Sequence, residues 1–264
     1  MIRALKAAFL GLLACTPPAW PQRPSDPDAA AMIETTRQKA LEYTRSLPDF
    51  VCTEVVKRFS YISARQRADW RLSDKLTIKL SYFEQKEDHK LLLIDDKPTG
   101  KSFESLEGAI GVGEFGAMLY SIFNPALHTT FRWESWKNVR KHRVAVFAYT
   151  VSAAASHYLL VSGSPGHTHQ AVVGYHGFLD IDTETSEVLN FTYQADAIPK
   201  ELGLAFALTT VDYDFADVGG RDYLLPARSE TEMHSPRLST RNQMEFREYR
   251  KFSADSTITF DPGK

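Results

Sequence analysis

The sequence predicts a mostly β fold of the α+β class: an antiparallel sheet with one helix at its N-terminal end and a second helix inserted mid-chain. Three observations carry this prediction. Eleven segments of the 264 residues read as strands, rich in β-branched and aromatic residues and bounded by turn formers. The connections between them are turn-rich and lack the crossover helices that parallel pairing requires. Only two longer stretches repeat their apolar residues at helical spacing. With 43% hydrophobic and 24% charged residues, the chain has enough apolar side chains for a native core and too many charges for a membrane bundle.

In chain order, Asp26-Pro27 reads as a helix start, an N-cap with proline at the first helical position. Ala29, Met32, Ile33, Thr36, Ala40, Tyr43 and Leu47 recur at helical spacing until Pro48 stops the pattern, so a helix is expected over 28–46. Strands are then expected at Phe50–Ile62, Lys75–Glu84 and His89–Ile94. The second helix is expected over Glu114–Phe123, with Phe115, Met118, Leu119, Ile122 and Phe123 on one face and Asn124-Pro125 at its end. The remaining strands are Thr129–Lys137, Arg143–Ser152, Tyr158–Ser162, Gln170–Asp182, Glu187–Gln194, Thr209–Asp217, Leu224–Met233 and Met244–Phe252. Asp180–Leu189 and Asp217–Pro226 carry the clearest hairpin signals, and a short helical turn is expected from Pro199 to Leu204.

The first residues carry an address. Arg3 and Lys6 precede a short apolar run, Ala7–Ala14, and Cys15 follows, which is the layout of an export signal over 1–14. The run is too short to span a bilayer. Leu12-Leu13-Ala14-Cys15 resembles the lipobox of bacterial lipoproteins, which implies cleavage before Cys15 and lipidation of its thiol; ordinary signal cleavage to a soluble periplasmic product is the alternative. Thr16 after the cysteine implies outer-membrane residence for a lipidated product. Residues 15–30 hold five of the thirteen prolines and read as a stiff extended tether of roughly 45 Å. Loss of Arg3 and Lys6 with the signal turns 31 basic residues into 29, against 33 acidic, a mature net charge of −4. No basic excess exists to bind nucleic acid. Cys15 and Cys52 are the only cysteines, so the fold is not a disulfide framework, and Cys52 reads as a small hydrophobe.

Several motifs invite chemistry and find the wrong context. Gly111-Val-Gly113-Glu-Phe-Gly116 matches a dinucleotide fingerprint but follows no parallel strand; Gly108, Gly111 and Gly113 read instead as a hinge before the second helix. His167, His169 and His176 have metal-like spacing beside a turn-rich loop, with no acidic residue near until Asp180. Ser164 lacks the spacing of a nucleophile elbow. The carboxylates Asp180, Asp182, Glu184 and Glu187, and Asp212, Asp214 and Asp217, read as the solvent face of antiparallel strands. No catalytic residue, metal site or cofactor is assigned. The aromatics are the stronger signal: Phe131, Trp133, Tyr149, Tyr175, Phe178, Phe191, Tyr193, Phe206, Tyr213 and Phe215 lie on strands that a sheet can gather on one concave face.

This order of elements, with the helix ending in Leu47-Pro-Asp-Phe50, the hairpin Gly177–Val188 and the segment Tyr213–Pro226, resembles the half-barrel superfamily of periplasmic lipoprotein carriers and receptors (LolA/LolB-like). Where such proteins often have Thr-Gly-Glu in the hairpin, this chain has Thr185-Ser186-Glu187. It is also similar to a set of exported bacterial proteins with Tyr-Thr-x-x-Leu-Pro-Asp-Phe-x-Cys-Thr, here Tyr43–Thr53. The resemblance implies a large curved sheet or incomplete barrel, one domain over 31–264, wrapped round a helix-lidded apolar cavity. The expected function is non-enzymatic binding of an acyl chain, a lipoprotein anchor or another hydrophobic ligand in the cell envelope. The expected cavity or lid residues are Phe115, Met118, Leu119, Ile122, Phe131, Trp133, Tyr149, Phe191 and Tyr213. The alternatives are an envelope scaffold with a closed core and, less favoured, a hydrolase using His167, His169 or His176.

Overall fold

Apolar residues at every second position of long strands drive this fold, because each strand then has one face to hide. A computed structural model of the chain describes residues 22–62, 69–106, 114–164 and 167–252. The elements are α1 (Asp26–Ser46), β1 (Phe50–Ile62), β2 (Arg71–Phe83), β3 (Lys86–Ile94), β4 (Lys97–Pro98), α2 (Ala117–Phe123), β5 (Thr130–Val139), β6 (His142–Val151), β7 (Leu159–Ser164), β8 (His167–Val172), β9 (Gly174–Asp182), β10 (Val188–Asp196), β11 (Phe206–Asp217), β12 (Asp222–His234) and β13 (Leu238–Lys251).

Eleven strands form one antiparallel sheet in the order β4-β3-β2-β1-β13-β12-β11-β10-β9-β6-β5, while β7 and β8 pair as a separate ribbon. The sheet is curved and open, with β4 and β5 at its edges. Its centre joins the two ends of the chain, since β1 pairs with β13 from Phe50↔Lys251 to Ile62↔Leu238. That seam makes the domain one cooperative unit, with every other sheet pairing between strands closer in sequence.

The structure corrects the sequence reading at four places. The segment expected as one strand over Gln170–Asp182 divides at Val173: β8 pairs with β7, and β9 joins the large sheet between β6 and β10. Gly174 makes that break, because a Cβ there would lie 2.9 Å from the Ala153 nitrogen and 3.0 Å from the Val151 oxygen. Helix α2 begins at Ala117, not Glu114, since Gly116 takes a left-handed φ of +103° and leaves Glu114 and Phe115 in the preceding turn. Helix α1 begins one residue earlier than expected, with Ser25 as N-cap accepting from the Asp28 amide at 3.3 Å. Asp180 and Asp182, expected on the solvent face, are buried. Lys137 Nζ lies 2.8 Å from Asp180, and Asp182 accepts from the Glu184 amide and the Thr185 hydroxyl to hold the β9–β10 turn.

The core has two main bodies on the concave face. One gathers Ile33 and Ala40 of α1, Leu119, Ile122 and Phe123 of α2, and the inward residues of β6, β9, β10 and β11. The other lies under β1 to β3 and packs Phe50, Leu76, Ile78, Leu80 and Tyr82 with Phe115. Each of these large side chains contributes about 1.5–3 kcal/mol by leaving water. No helix among the described residues is long and apolar enough to cross a membrane.

Candidate functional site

Alternation along β5, β6, β10 and β11 points their aromatic residues to the concave face, and α1 lies across that face. Of the expected site residues, Leu119, Ile122, Tyr149, Phe191 and Tyr213 are buried in the first core body, with Met118, Phe131 and Trp133 packed against it. Phe115 falls in the second body, between the rings of Phe50 and Phe246. The hinge glycines 108, 111 and 113, and Cys15 with its export signal, lie outside the described residues.

The middle of this face is filled. Phe191 stacks on Tyr213 with centroids 6.1 Å apart, Tyr43 meets Tyr213 edge-on at 5.8 Å, and the Tyr149 hydroxyl donates to the Thr192 carbonyl at 2.7 Å. Burial holds the hydroxyls of Tyr43, Tyr149 and Tyr213 far above the ordinary phenol range, so they are neutral donors.

Open space lies on both flanks of α1. On one side, a cavity of about 550 Å³ separates Ala29, Ile33 and Arg37 of α1 from Phe131 and Trp133 of β5 and Phe147 of β6. Its floor is aromatic and its rim is charged. Arg23 pairs with Asp26 at 3.0 Å, Arg37 with Glu34 at 3.4 Å, and Arg132 with Glu134 at 2.5 Å. The Trp133 Nε1 and Arg37 Nε are buried without a hydrogen-bond partner. On the other side, about 160 Å³ lies between Thr36, Ala40 and Tyr43 of α1 and Leu119, Val188 and Tyr213. Four of the nine expected residues thus line open space: Phe131, Trp133, Leu119 and Tyr213.

A polar constellation that the motif search did not single out lies in the second core body. Glu54 of β1, Glu87 and His89 of β3, and Glu114 before α2 converge there. His89 Nε2 is 3.7 Å from Glu54 Oε2 and 3.9 Å from Glu87 Oε2, and its ring stacks on Phe103 at 4.8 Å. The Ser229 hydroxyl donates to Glu114 Oε1 at 3.3 Å, and the Tyr213 hydroxyl donates to the Glu114 carbonyl at 2.6 Å. Burial, then the neighbouring Glu114 and Glu87, push the Glu54 carboxyl up to about 8. Burial, then Glu114, push Glu87 up to about 7, and burial raises Glu114 against the hydrogen bonds from its own backbone and Ser229. Strand parity was the available signal: Phe50, Cys52, Glu54 and Val56 alternate inward, so a glutamate stands where a core residue belongs.

Cys52 itself is 3% exposed, and burial followed by Glu54 raises its thiol well above the range of a thiolate nucleophile. Of the histidines with metal-like spacing, His169 is on β8 and His176 on β9, in different sheets; His176 Nδ1 contacts Asp196 at 2.6 Å. Among the described residues no three His, Cys, Asp or Glu side chains are placed to hold a metal ion.

No protein-family model matches the chain, and no curated protein does. Among solved structures it is similar to a LolA superfamily protein from Nitrosomonas europaea, at 9% identity and TM-score 0.33, covering 87% of this chain and 97% of that one. It is similar to a DUF1329 family protein from Desulfovibrio piger, at 10% identity and TM-score 0.37, over 88% and 97% of the two chains. It is also similar to the Mycobacterium tuberculosis lipoprotein LppX, at 10% identity and TM-score 0.32, over 87% and 98%.

Proposed function

We propose that this chain is a non-enzymatic binding protein of the cell envelope, which holds an acyl chain or a similar apolar ligand between α1 and the concave face of its open sheet. The observation that carries the reading is the cavity of about 550 Å³ floored by Phe131, Trp133 and Phe147, a volume within the range of small-molecule sites. The export signal and the proline-rich segment ending at α1 support an envelope address, with lipid on Cys15 holding the domain at the outer membrane.

The runner-up is a scaffold whose loops or sheet edges dock another envelope protein. It draws on the filled middle of the face, where Tyr149, Phe191 and Tyr213 are at most 2% exposed. Native mass spectrometry of the protein purified from its own envelope separates the two. Binding predicts a co-purifying species of acyl-chain mass, displaced by an anilinonaphthalene dye, and loss of that dye from a folded Trp133→Asp variant. Bare protein that takes up no dye would overturn the binding reading. Palmitate labelling of the wild type and not of Cys15→Ser tests the anchor.

A further inference from the structure

Three carboxyl groups from three separate elements share one interior site with one histidine, which is an uneconomical way to build a core. A glutamine or leucine at Glu54 would fill the space at less cost in desolvation. Glu54 is 1% exposed and Glu114 4% exposed, and Glu54 Oε2 has no hydrogen-bond partner. The surroundings offer little to neutralise them. Facing the group are Cys52 on β1, Tyr82 on β2, Tyr213 on β11, Ser229 on β12 and Tyr249 on β13, together with the ring of Phe103. Among these described side chains His89 is the one base. Arg58, four residues further along β1, is taken up by Asp74 through contacts of 2.7 and 2.5 Å.

Glu114 is the member placed to move. It belongs to the turn that leads into α2 through Phe115 and the left-handed Gly116. Its backbone carbonyl is held by Tyr213 and its carboxyl by Ser229. Phe115 next to it is 2% exposed and packs against Phe50, Tyr82 and Phe246. Whatever drives the Glu114 side chain toward water therefore pulls on Phe115 and on the start of α2.

We propose that Glu54, Glu87 and Glu114 around His89 form a proton-dependent latch, which seats the turn before α2 on the sheet while the carboxyls are protonated and releases it when they ionise. One negative charge can be met by His89; a second or third in the same interior cannot. Repulsion then acts on the side chain with the shortest route out, which is Glu114 on its turn and not Glu54 within the central sheet. The direction agrees with the raised proton affinity of all three carboxyls, and with Glu54 and Glu87 giving up their protons at about 8 and 7. Seating is complete in mildly acid conditions and is lost through neutral to mildly alkaline pH. This device needs no bound ligand, so it stands whether or not the cavity beside α1 binds one.

Hydrogen exchange read by mass spectrometry on the full exported chain tests the latch, with rates corrected for the intrinsic effect of pH. Between pH 6 and 8.5 the amides of residues 114–123 should lose at least tenfold in protection, while β9 and β10 keep theirs. Glu114→Gln, and separately Glu87→Gln at the less buried position, should each flatten that loss to threefold or less. Unchanged protection of 114–123 across the range would overturn the proposal. So would a loss shared equally with β9 and β10, or a loss that persists in both glutamine variants.

Discussion

Raising the pH from 5.5 to 8.5 should destabilise the whole domain, and Glu54 sets the size of the effect. Its carboxyl is 1% exposed and keeps its proton to about pH 8, against 4.5 for the group in water. Each pH unit of that difference is worth about 1.4 kcal/mol, so Glu54 alone represents about 5 kcal/mol between its two titrations. The sign follows from which state holds the proton. The folded state binds it more tightly, so this stability is complete below about pH 4.5 and is lost as the pH rises through 8. Glu87, pushed to about 7, works in the same window and direction; because the carboxyls share one site, their effects do not simply add. From pH 5.5 to 8 the expected loss is about 3 kcal/mol, a large share of the 5–15 kcal/mol typical of a domain. Urea unfolding followed by tryptophan fluorescence at pH 5.5, 7 and 8.5 measures it. Glu54→Gln should cost stability at pH 5.5, because its amide finds no partner, and should reduce the fall toward pH 8.5 by more than half. Stability that stays level or rises from pH 5.5 to 8.5, or an identical fall in Glu54→Gln, would refute the reasoning.

Three further outcomes follow from local geometry. Gly177→Ala should destabilise by roughly 3 kcal/mol or more, because its Cβ would overlap the Thr192 carbonyl, whose carbon lies 2.7 Å away; a loss under about 1 kcal/mol in urea unfolding would mean that β9 and β10 can separate. Thr36→Val should be neutral or stabilise by about 1 kcal/mol, since the hydroxyl is buried in α1 without a partner; a clear drop in thermal midpoint would show that it has one. Cys52→Ala should cost about 1–2 kcal/mol as a small core truncation and leave dye binding unchanged, because its thiol is too buried and too basic to react.

The sequence by itself determined the elements that rest on local pattern. Helix α1 was legible from its periodicity and from the proline that ends it. The β9–β10 and β11–β12 hairpins were legible from their turn residues; Gly219 and Gly220 both take positive φ between β11 and β12. Antiparallel pairing followed from short, turn-rich connections. What depends on distant partners was decided by the tertiary structure. The pairing of β1 with β13 has no local signal, and neither does the break at Gly174, which answers to the backbone of residues 151–153. The same limit governed the site. Sequence patterning marked Phe131, Trp133, Leu119 and Tyr213 as concave-face residues, and marked Tyr149 and Phe191 equally well. Only packing decided that the first four border open space while the last two fill the middle. The buried carboxyls show it most clearly, because each glutamate is ordinary in its own segment. Glu54, Glu87 and Glu114 become one electrostatic unit only where β1, β3 and the turn before α2 meet, since Coulomb coupling depends on separation in space and on the loss of water, and the order of residues along the chain encodes neither directly.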